Sequence, residues 1–497
     1  SNAMRQENGS GGGGRAVNGG PRLRDAADKT PSPSSCEASS EEAHLPHGPL
    51  WSGHRTFLSI YRDDDGKLFA HRDSSFHCNN GDDNGIAWLW MVVWCNCFII
   101  MGLSLQGFSL QSLATRHGLN YFDTGSLFSA TKATAIVGSL LSHSLMSVIY
   151  PSHMMVFGVV LKALAVAALG ALHWLPVNET VFMALGATVK SIGGVGLSLY
   201  FTATYSLLFY KHQSSYIVPL ILSEVAVGIG GLLGPILGFV LIEVWMYPLP
   251  YFAVAGCMLL GILIAVALPL DSCVPLEKTL KLSTCSAVAF LADARVLVDL
   301  VTLALGGITM AHFDTTLIAH LTSVNVSDPH ADYSFAVVFG AYAIGAIIFG
   351  VVTAKFEADA LVIFIAQLVS CAAFLFVGPV QFIPIPTKLW LTRLGVGLAG
   401  FAAAGQFLPV MARVVHSATW RNQSSDLWTI TAAVAVSYAA SQLGGLAASL
   451  FSAYVADVSG PAAACTVLFI IQASWAVARF LVWITECAMH AHASRVS

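Results

Sequence analysis

The sequence predicts an all-α integral membrane protein with twelve transmembrane helices in two six-helix halves. Hydrophobic residues make up 56% of the 497 residues and charged residues only 10%, and the mean hydropathy is +0.69. A soluble domain carries about 25% charged residues, because water faces it on every side. Most of this chain must therefore face lipid. A formal net charge of −4 without a basic stripe argues against a nucleic-acid partner.

Apolar runs of about twenty residues recur from Ile86 onward, each long enough to cross roughly 30 Å of hydrocarbon. We expect helices at 87–111, 124–149, 153–174, 180–209, 216–243, 250–270, 296–321, 333–353, 359–378, 388–412, 426–455 and 461–486. The longest internal polar connection, 271–295, separates a half at 86–270 from a half at 296–486. A short tail, 487–497, ends the chain.

Residues 1–85 have a different composition, with a glycine run at 11–14 and stretches rich in Pro, Ser and Glu. Such a segment cannot bury enough apolar surface to offset its ordering entropy, so we expect a disordered tail. If that tail is cytoplasmic, eight Lys and Arg residues fall in the inner connections and three in the outer ones. This bias predicts both termini in the cytoplasm, with the plasma membrane or an intracellular vesicle membrane as the host.

The fifth and eleventh predicted helices share a short glycine motif at an offset of 214 residues. Gly230 and Gly231 then match Gly444 and Gly445, and Glu243 matches Asp457. With the six-and-six division, this match favours two parallel repeats around a central cavity.

Ionisable groups at membrane depth are costly, so each one is a candidate for function. Glu224 and Asp314 lie in the fifth and seventh helices, one in each half. The plain interpretation is a neutral or capping carboxyl, whereas the functional one is a pair that holds a cation and exchanges protons. Lys190 could pair with Glu224 or take part in coupling, and His312 could titrate beside Asp314.

Other candidates come from small and aromatic residues. Gly230, Gly234, Pro235 and Gly238 form a smooth and bendable helix face, or serve ordinary tight packing. Tyr342 and Tyr438 could line a cation site, although most membrane tyrosines simply pack.

The sequence contains no catalytic or nucleotide-binding motif, so we expect neither an enzyme nor a pump driven by ATP. The ten cysteines are scattered without metal-binding spacing, so no metal site and no cofactor are predicted. The expected partners are a small-molecule substrate, lipid and a coupling proton, and the expected oligomeric state is a monomer.

Five sequence stretches resemble the major facilitator superfamily, in particular its vesicular amine and polyamine transporter branch. SEVAVGIGGLLGPILG at 223–238 is similar to the antiporter motif, and WMYPLPY at 245–251 to the segment that follows it. HFDTTL at 312–317, FGVVTAK at 349–355, and VGPVQFIP at 377–384 leading to LW at 389–390 also fit. The resemblance implies alternating access driven by a proton gradient, with Glu224 and Asp314 as cavity residues for organic cations.

The sequence departs from that family where charges are expected. Ser142 and His143 replace an Asp-Arg pair after the second helix, and Ala354 replaces an Asp after the eighth. In the fourth helix the family's Arg-x-x-Asp becomes Lys190-x-x-Gly193.

Three functional interpretations follow. The first is a secondary transporter that exchanges a polyamine or monoamine for protons. The second is a carrier of a neutral or anionic solute that uses Lys190 and Lys132. The third is a non-transporting receptor or scaffold whose tail at 1–85 is the working part.

Overall fold

The computed structural model describes residues 59–62, 68–71, 82–175, 178–213, 215–267, 289–326, 333–356, 359–378, 388–422 and 426–496. Twelve long helices make up most of this part of the chain. In order they are α1 (Asp82–Arg116), α2 (Tyr121–Leu145), α3 (Pro151–Ala171), α4 (Glu179–Lys211), α5 (Ile217–Val244), α6 (Leu249–Ala267), α7 (Ala294–Ser323), α8 (Ser334–Phe356), α9 (Asp359–Val377), α10 (Leu389–Asn422), α11 (Leu427–Ser459) and α12 (Pro461–Val496). Each overlaps one predicted apolar run, so the predicted all-α fold class is confirmed.

Ten of the described helices are long and apolar enough to cross a membrane. The other two are α6, which is a shorter apolar helix, and α2. The sequence of α2 is rich in Ser and Thr and includes Lys132 and His143. Its polar composition fits its position, because α2 packs against α4 and α11 inside the bundle.

The ends of the chain differ from the prediction. Two short strands, β1 (Ser59–Arg62) and β2 (Leu68–His71), pair antiparallel within the predicted disordered tail; residues 1–58 lie outside the described residues. The predicted tail at 487–497 is a continuation of α12 up to Val496. Its residues include three alanines and no glycine or proline, which favours a helix. Most of the predicted connection 271–295 also lies outside the described residues, and Asp293 there caps α7 by accepting from the Arg295 backbone N–H at 2.9 Å.

Helix packing repeats with an offset of six helices. In the first half α1 packs on α5, α2 and α3 both pack on α4, and α3 packs on α6. The equivalent pairs of the second half are α7 on α11, α8 and α9 on α10, and α9 on α12. The halves meet along two seams, α2 against α11 and α5 against α8, which the same offset interchanges. This arrangement agrees with two parallel repeats.

The glycine match at offset 214 has a structural basis in close helix contacts. A Cβ built on Gly230 would lie 2.0 Å from the Cys97 carbonyl oxygen of α1, and one on Gly444 would lie 1.8 Å from that of Ala304 in α7. On the seams, a Cβ on Gly231 would meet Phe339, and one on Gly445 would meet Lys132. Gly230 and Gly444 thus allow the same close backbone contact within the α1–α5 pair and within the α7–α11 pair.

Candidate functional site

Glu224 lies buried in α5 between two tyrosines from different halves. Tyr205 of α4 donates a short hydrogen bond to Oε1. Tyr342 of α8 donates to Oε2 at 2.5 Å. Both carboxylate oxygens therefore have partners, and the second bond crosses the α5–α8 seam. The structure brings the predicted residues Glu224 and Tyr342 together.

An aromatic cluster extends from this carboxylate. The Phe201 ring stacks on both Tyr205 and Tyr438, with centroids 5.6 Å apart in each pair. Phe407 of α10 lies 6.2 Å from Tyr205. Tyr438 is thus near Glu224 through the cluster, while within the described residues the carboxylate's hydrogen bonds come from Tyr205 and Tyr342.

Lys190 has partners other than the one suggested by the sequence. Its buried Nζ donates to Oε1 of Gln106 in α1 at 2.8 Å and lies 4.0 Å from the centroid of the Phe128 ring in α2. The suggested pairing with Glu224 is corrected, because both oxygens of that carboxylate accept from tyrosines. The sequence could not show that Lys190 and Glu224 lie among different neighbouring helices, because those neighbours are set by tertiary packing.

Asp314 belongs to a separate charged group of four side chains. Its carboxylate interacts electrostatically with Lys132 of α2 and Lys190 of α4. Lys190 also interacts with Lys162 of α3, and Lys162 with Lys132. We call Lys132, Lys162, Lys190 and Asp314 the charge cluster. It contains three lysine side chains from the first half and one carboxyl group from the second.

The Lys132 side chain of α2, in the first half, contacts α11 of the second half. A Cβ built on Gly445 of α11 would lie 3.3 Å from Cδ of Lys132. Lys132 and Asp314 are both only partly buried, whereas Lys162 and Lys190 are buried. The sequence signal for this cluster was the presence of lysines in apolar helices. Lys190 and Lys132 were predicted as ligands of an anionic solute, whereas Lys162 was not singled out.

His312 turns away from Asp314 and points toward α11 and α12. Its Nδ1 lies 2.9 Å from the Ser452 hydroxyl, and its Nε2 lies 3.4 Å from Sγ of Cys465. His320, further along α7, is also buried and reaches the same sulfur at 3.4 Å. The predicted role of His312 as a titrating neighbour of Asp314 is therefore corrected, because its ring contacts Ser452 and Cys465 instead.

The predicted conformational motif lies on a tightly packed face of α5. Gly230 and Gly234 pack on α1, and Pro235 lies inside the helix. Gly234 and Gly238 also line an apolar pocket between α1, α5 and α6. Close packing is thus the observed role of the glycines.

An ion network at one end of the second half was missed by sequence reasoning. Asp299 of α7 accepts from Arg479 of α12 at 2.7 Å and from Arg413 of α10 at 3.1 Å. Arg413 also pairs with Glu486 at 2.8 Å. The signal was available, since Asp299 and Arg479 are charges inside apolar runs. The network connects α7, α10 and α12 within one half, so we infer that it stabilises the packing of these helices.

Two six-helix bundles that meet along α2–α11 and α5–α8 have the major facilitator fold, and the predicted resemblance to that superfamily is confirmed. The MFS-type transporter SLC18B1 of Rattus norvegicus is 20% identical over 400 residues, which cover 78% of this chain and 85% of that protein. No family model matches the chain.

Solved structures show the same fold. The human organic anion transporter MFSD10 (TETRAN) superposes with a TM-score of 0.60 at 16% identity, over 79% of this chain and 99% of that one. The nucleoside transporter NupG gives a TM-score of 0.55 at 12% identity, over 80% of this chain and 99% of that one. The chain is accordingly a multi-pass integral membrane protein with the fold of a transporter.

Proposed function

We propose that the chain is a secondary transporter of a small organic anion, which the lysines of the charge cluster bind. The observation that supports this is the charge balance among Lys132, Lys162, Lys190 and Asp314. When all four are ionised, the three lysines exceed the single carboxylate by two positive charges. Unbalanced charge at membrane depth is costly, so an anionic substrate has a favourable place there.

Gly193 supports the change from cation to anion binding. The related family carries an Asp at this position of the fourth helix, as the sequence motif indicates. Here a Cβ built on Gly193 would lie 3.8 Å from Nζ of Lys162. A carboxylate in that place would offset the lysine, and its absence leaves the positive charge for a ligand. MFSD10, which shares the fold, is described as an organic anion transporter.

Asp314 gives the site a means of coupling to protons. It is the carboxylate of the cluster, and it belongs to the opposite half from the lysines. A substrate anion competes with it for the same ammonium groups. A proton that binds Asp314 removes this competition, so the proposed cycle carries the anion and a proton in the same direction as the halves rock.

A second candidate is the exchange of an organic cation, such as a polyamine or monoamine, for protons at Glu224. The specific observation in its favour is the aromatic surroundings of that carboxylate, with Tyr205 and Tyr342 bound to it and Phe201 stacked beside them. Aromatic faces attract organic cations, and the carboxylate would supply the counter-charge.

Uptake into proteoliposomes tests the anion proposal. The purified protein is assayed with a panel of labelled mono- and dicarboxylates and with spermidine, with and without a pH gradient. Lys190→Met should raise KM for the transported anion at least about tenfold, which corresponds to about 1.4 kcal/mol. The control is Lys388→Met, which removes an exposed lysine just before α10 and should leave KM unchanged.

Two carboxyl variants separate the candidates because their expected effects have opposite signs. For anion transport, Asp314→Asn should lower KM for the anion and remove the stimulation by a pH gradient, whereas Glu224→Gln should leave KM unchanged. For cation exchange, both variants should lose amine uptake. Amine uptake by the unmodified protein, combined with no carboxylate uptake, would overturn the anion proposal.

A further inference from the structure

Two histidines and one cysteine meet inside the second half, away from the charge cluster. His312 and His320 belong to α7, and Cys465 belongs to α12 near its start. All three are buried, at 0%, 2% and 0% exposure. Within the described residues they are the one group whose nitrogen and sulfur ligand atoms all lie within 4.8 Å of one another.

The arrangement depends on both helices. His312 and His320 are eight residues apart, which places them about 80° apart around α7 and about 12 Å apart along it. Their rings nevertheless approach to 5.5 Å between centroids, because each turns toward the space beside Cys465. The cysteine sulfur lies 3.4 Å from Nε2 of both rings.

Neighbouring hydroxyl groups orient the first histidine for this contact. The Ser452 hydroxyl of α11 lies 2.9 Å from Nδ1 of His312. The Thr316 hydroxyl lies 3.3 Å from Nε2, but it donates to the His312 carbonyl oxygen at 2.7 Å. When Nδ1 donates to Ser452, Nε2 is therefore an acceptor that faces the sulfur. Metal-bound histidines commonly have such an outer partner on the nitrogen that does not bind the ion.

The distances fit a metal ion. With a metal–sulfur bond of about 2.3 Å and a metal–nitrogen bond of about 2.0 Å, a tetrahedral ion holds sulfur and nitrogen about 3.5 Å apart. Both sulfur–nitrogen distances here are 3.4 Å. A thiolate with two imidazoles suits late transition metals, whereas Mg²⁺ and Ca²⁺ require oxygen ligands.

We propose that His312, His320 and Cys465 bind one Zn²⁺ or Cu⁺ ion between α7 and α12. This site is separate from the transport proposal and does not depend on it. The ion would bind the thiolate of Cys465, so binding releases the thiol proton. It would join the last turns of α7 to the first turns of α12.

Metal analysis of the full chain, without a polyhistidine tag, tests the site. The protein is expressed in medium with added Zn²⁺ or, in a parallel arm under reducing conditions, with added copper. About one ion per chain is expected in one arm. Cys465→Ser should reduce the bound ion at least about tenfold, whereas Cys371→Ser, which changes another buried free cysteine, should keep it.

X-ray absorption at the metal edge gives a second readout that does not require a folded variant. The unmodified protein should show one sulfur and two nitrogen scatterers around the ion. No bound ion in either arm, an ion with only oxygen and nitrogen neighbours, or undiminished binding by Cys465→Ser that elutes as a single species would each overturn the proposal.

Discussion

At the scale of single residues, Glu224 shows how one carboxylate links the two halves. Its partner Tyr205 belongs to the same half, while Tyr342 belongs to the other. Transport by alternating access requires the halves to separate along one seam at a time. The bond from Tyr342 must break whenever the α5–α8 seam opens at this depth, so it stabilises the arrangement described here against that opening.

The contribution of this bond can be measured with Tyr342→Phe. The variant leaves one oxygen of a buried carboxyl without its donor, which costs about 1–3 kcal/mol. A lower thermal unfolding midpoint in detergent is therefore expected. Tyr438→Phe is the control, because its ring is buried but stacked on Phe201 rather than bound to the carboxylate. Equal midpoints for the two variants would contradict the assigned role.

At the scale of helices, backbone contact at glycine determines how the bundles close. Gly230 and Gly444 each allow the carbonyl of a neighbouring helix to approach within a distance that no Cβ could tolerate. In lipid, where apolar surface gains little from burial, such close van der Waals packing is a main source of helix association. The repetition of this contact in both halves makes it a feature of the fold.

Gly230→Ala should therefore destabilise the protein. The new methyl group would lie 2.0 Å from the Cys97 carbonyl oxygen and force α1 and α5 apart, and overpacking of this kind costs about 1–3 kcal/mol. The matched variant is Gly256→Ala in α6, where nothing lies within 4 Å of the added carbon. Thermal unfolding with a tryptophan-fluorescence readout compares them. The packing argument fails if Gly256→Ala lowers the midpoint as much as Gly230→Ala.

Helices were predictable from the sequence and side-chain partners were not. An apolar run of twenty residues has one low-energy form in lipid, so all twelve helices followed from hydropathy. The helix α2 was also predicted, although it is rich in Ser and Thr. This polar composition is explained by its packing on α4 and α11, which the sequence does not show. Lys190 and His312 were candidates in the sequence, but their partners Gln106 and Cys465 lie 84 and 153 residues away. Such pairings depend on tertiary packing, which periodicity along one helix does not encode.

At the scale of the whole molecule, the α2–α11 seam closes at both ends by different means. Where α2 ends, the His143 ring lies 3.7 Å from that of Trp428 at the start of α11. His143 is one of the positions at which the resemblance described above predicts a charged residue. Where α2 begins, Asp457 near the end of α11 accepts from the backbone N–H of Phe122 at 2.7 Å. A carboxylate there also complements the positive end of the α2 dipole.

Removing this cap should loosen one end of the seam. Asp457→Ala deprives the first turn of α2 of a hydrogen bond worth about 1 kcal/mol, so amide exchange there should quicken about fivefold. Hydrogen–deuterium exchange of the peptide containing 120–128, followed by mass spectrometry, measures this directly. Glu243→Ala is the matched control, because Glu243 is the equivalent of Asp457 in the 214-residue repeat. It lies exposed near the end of α5. Unchanged exchange at 120–128 in Asp457→Ala would show that this contact does not hold the halves together, and the closure would then depend on the apolar packing of Phe122 against Tyr454.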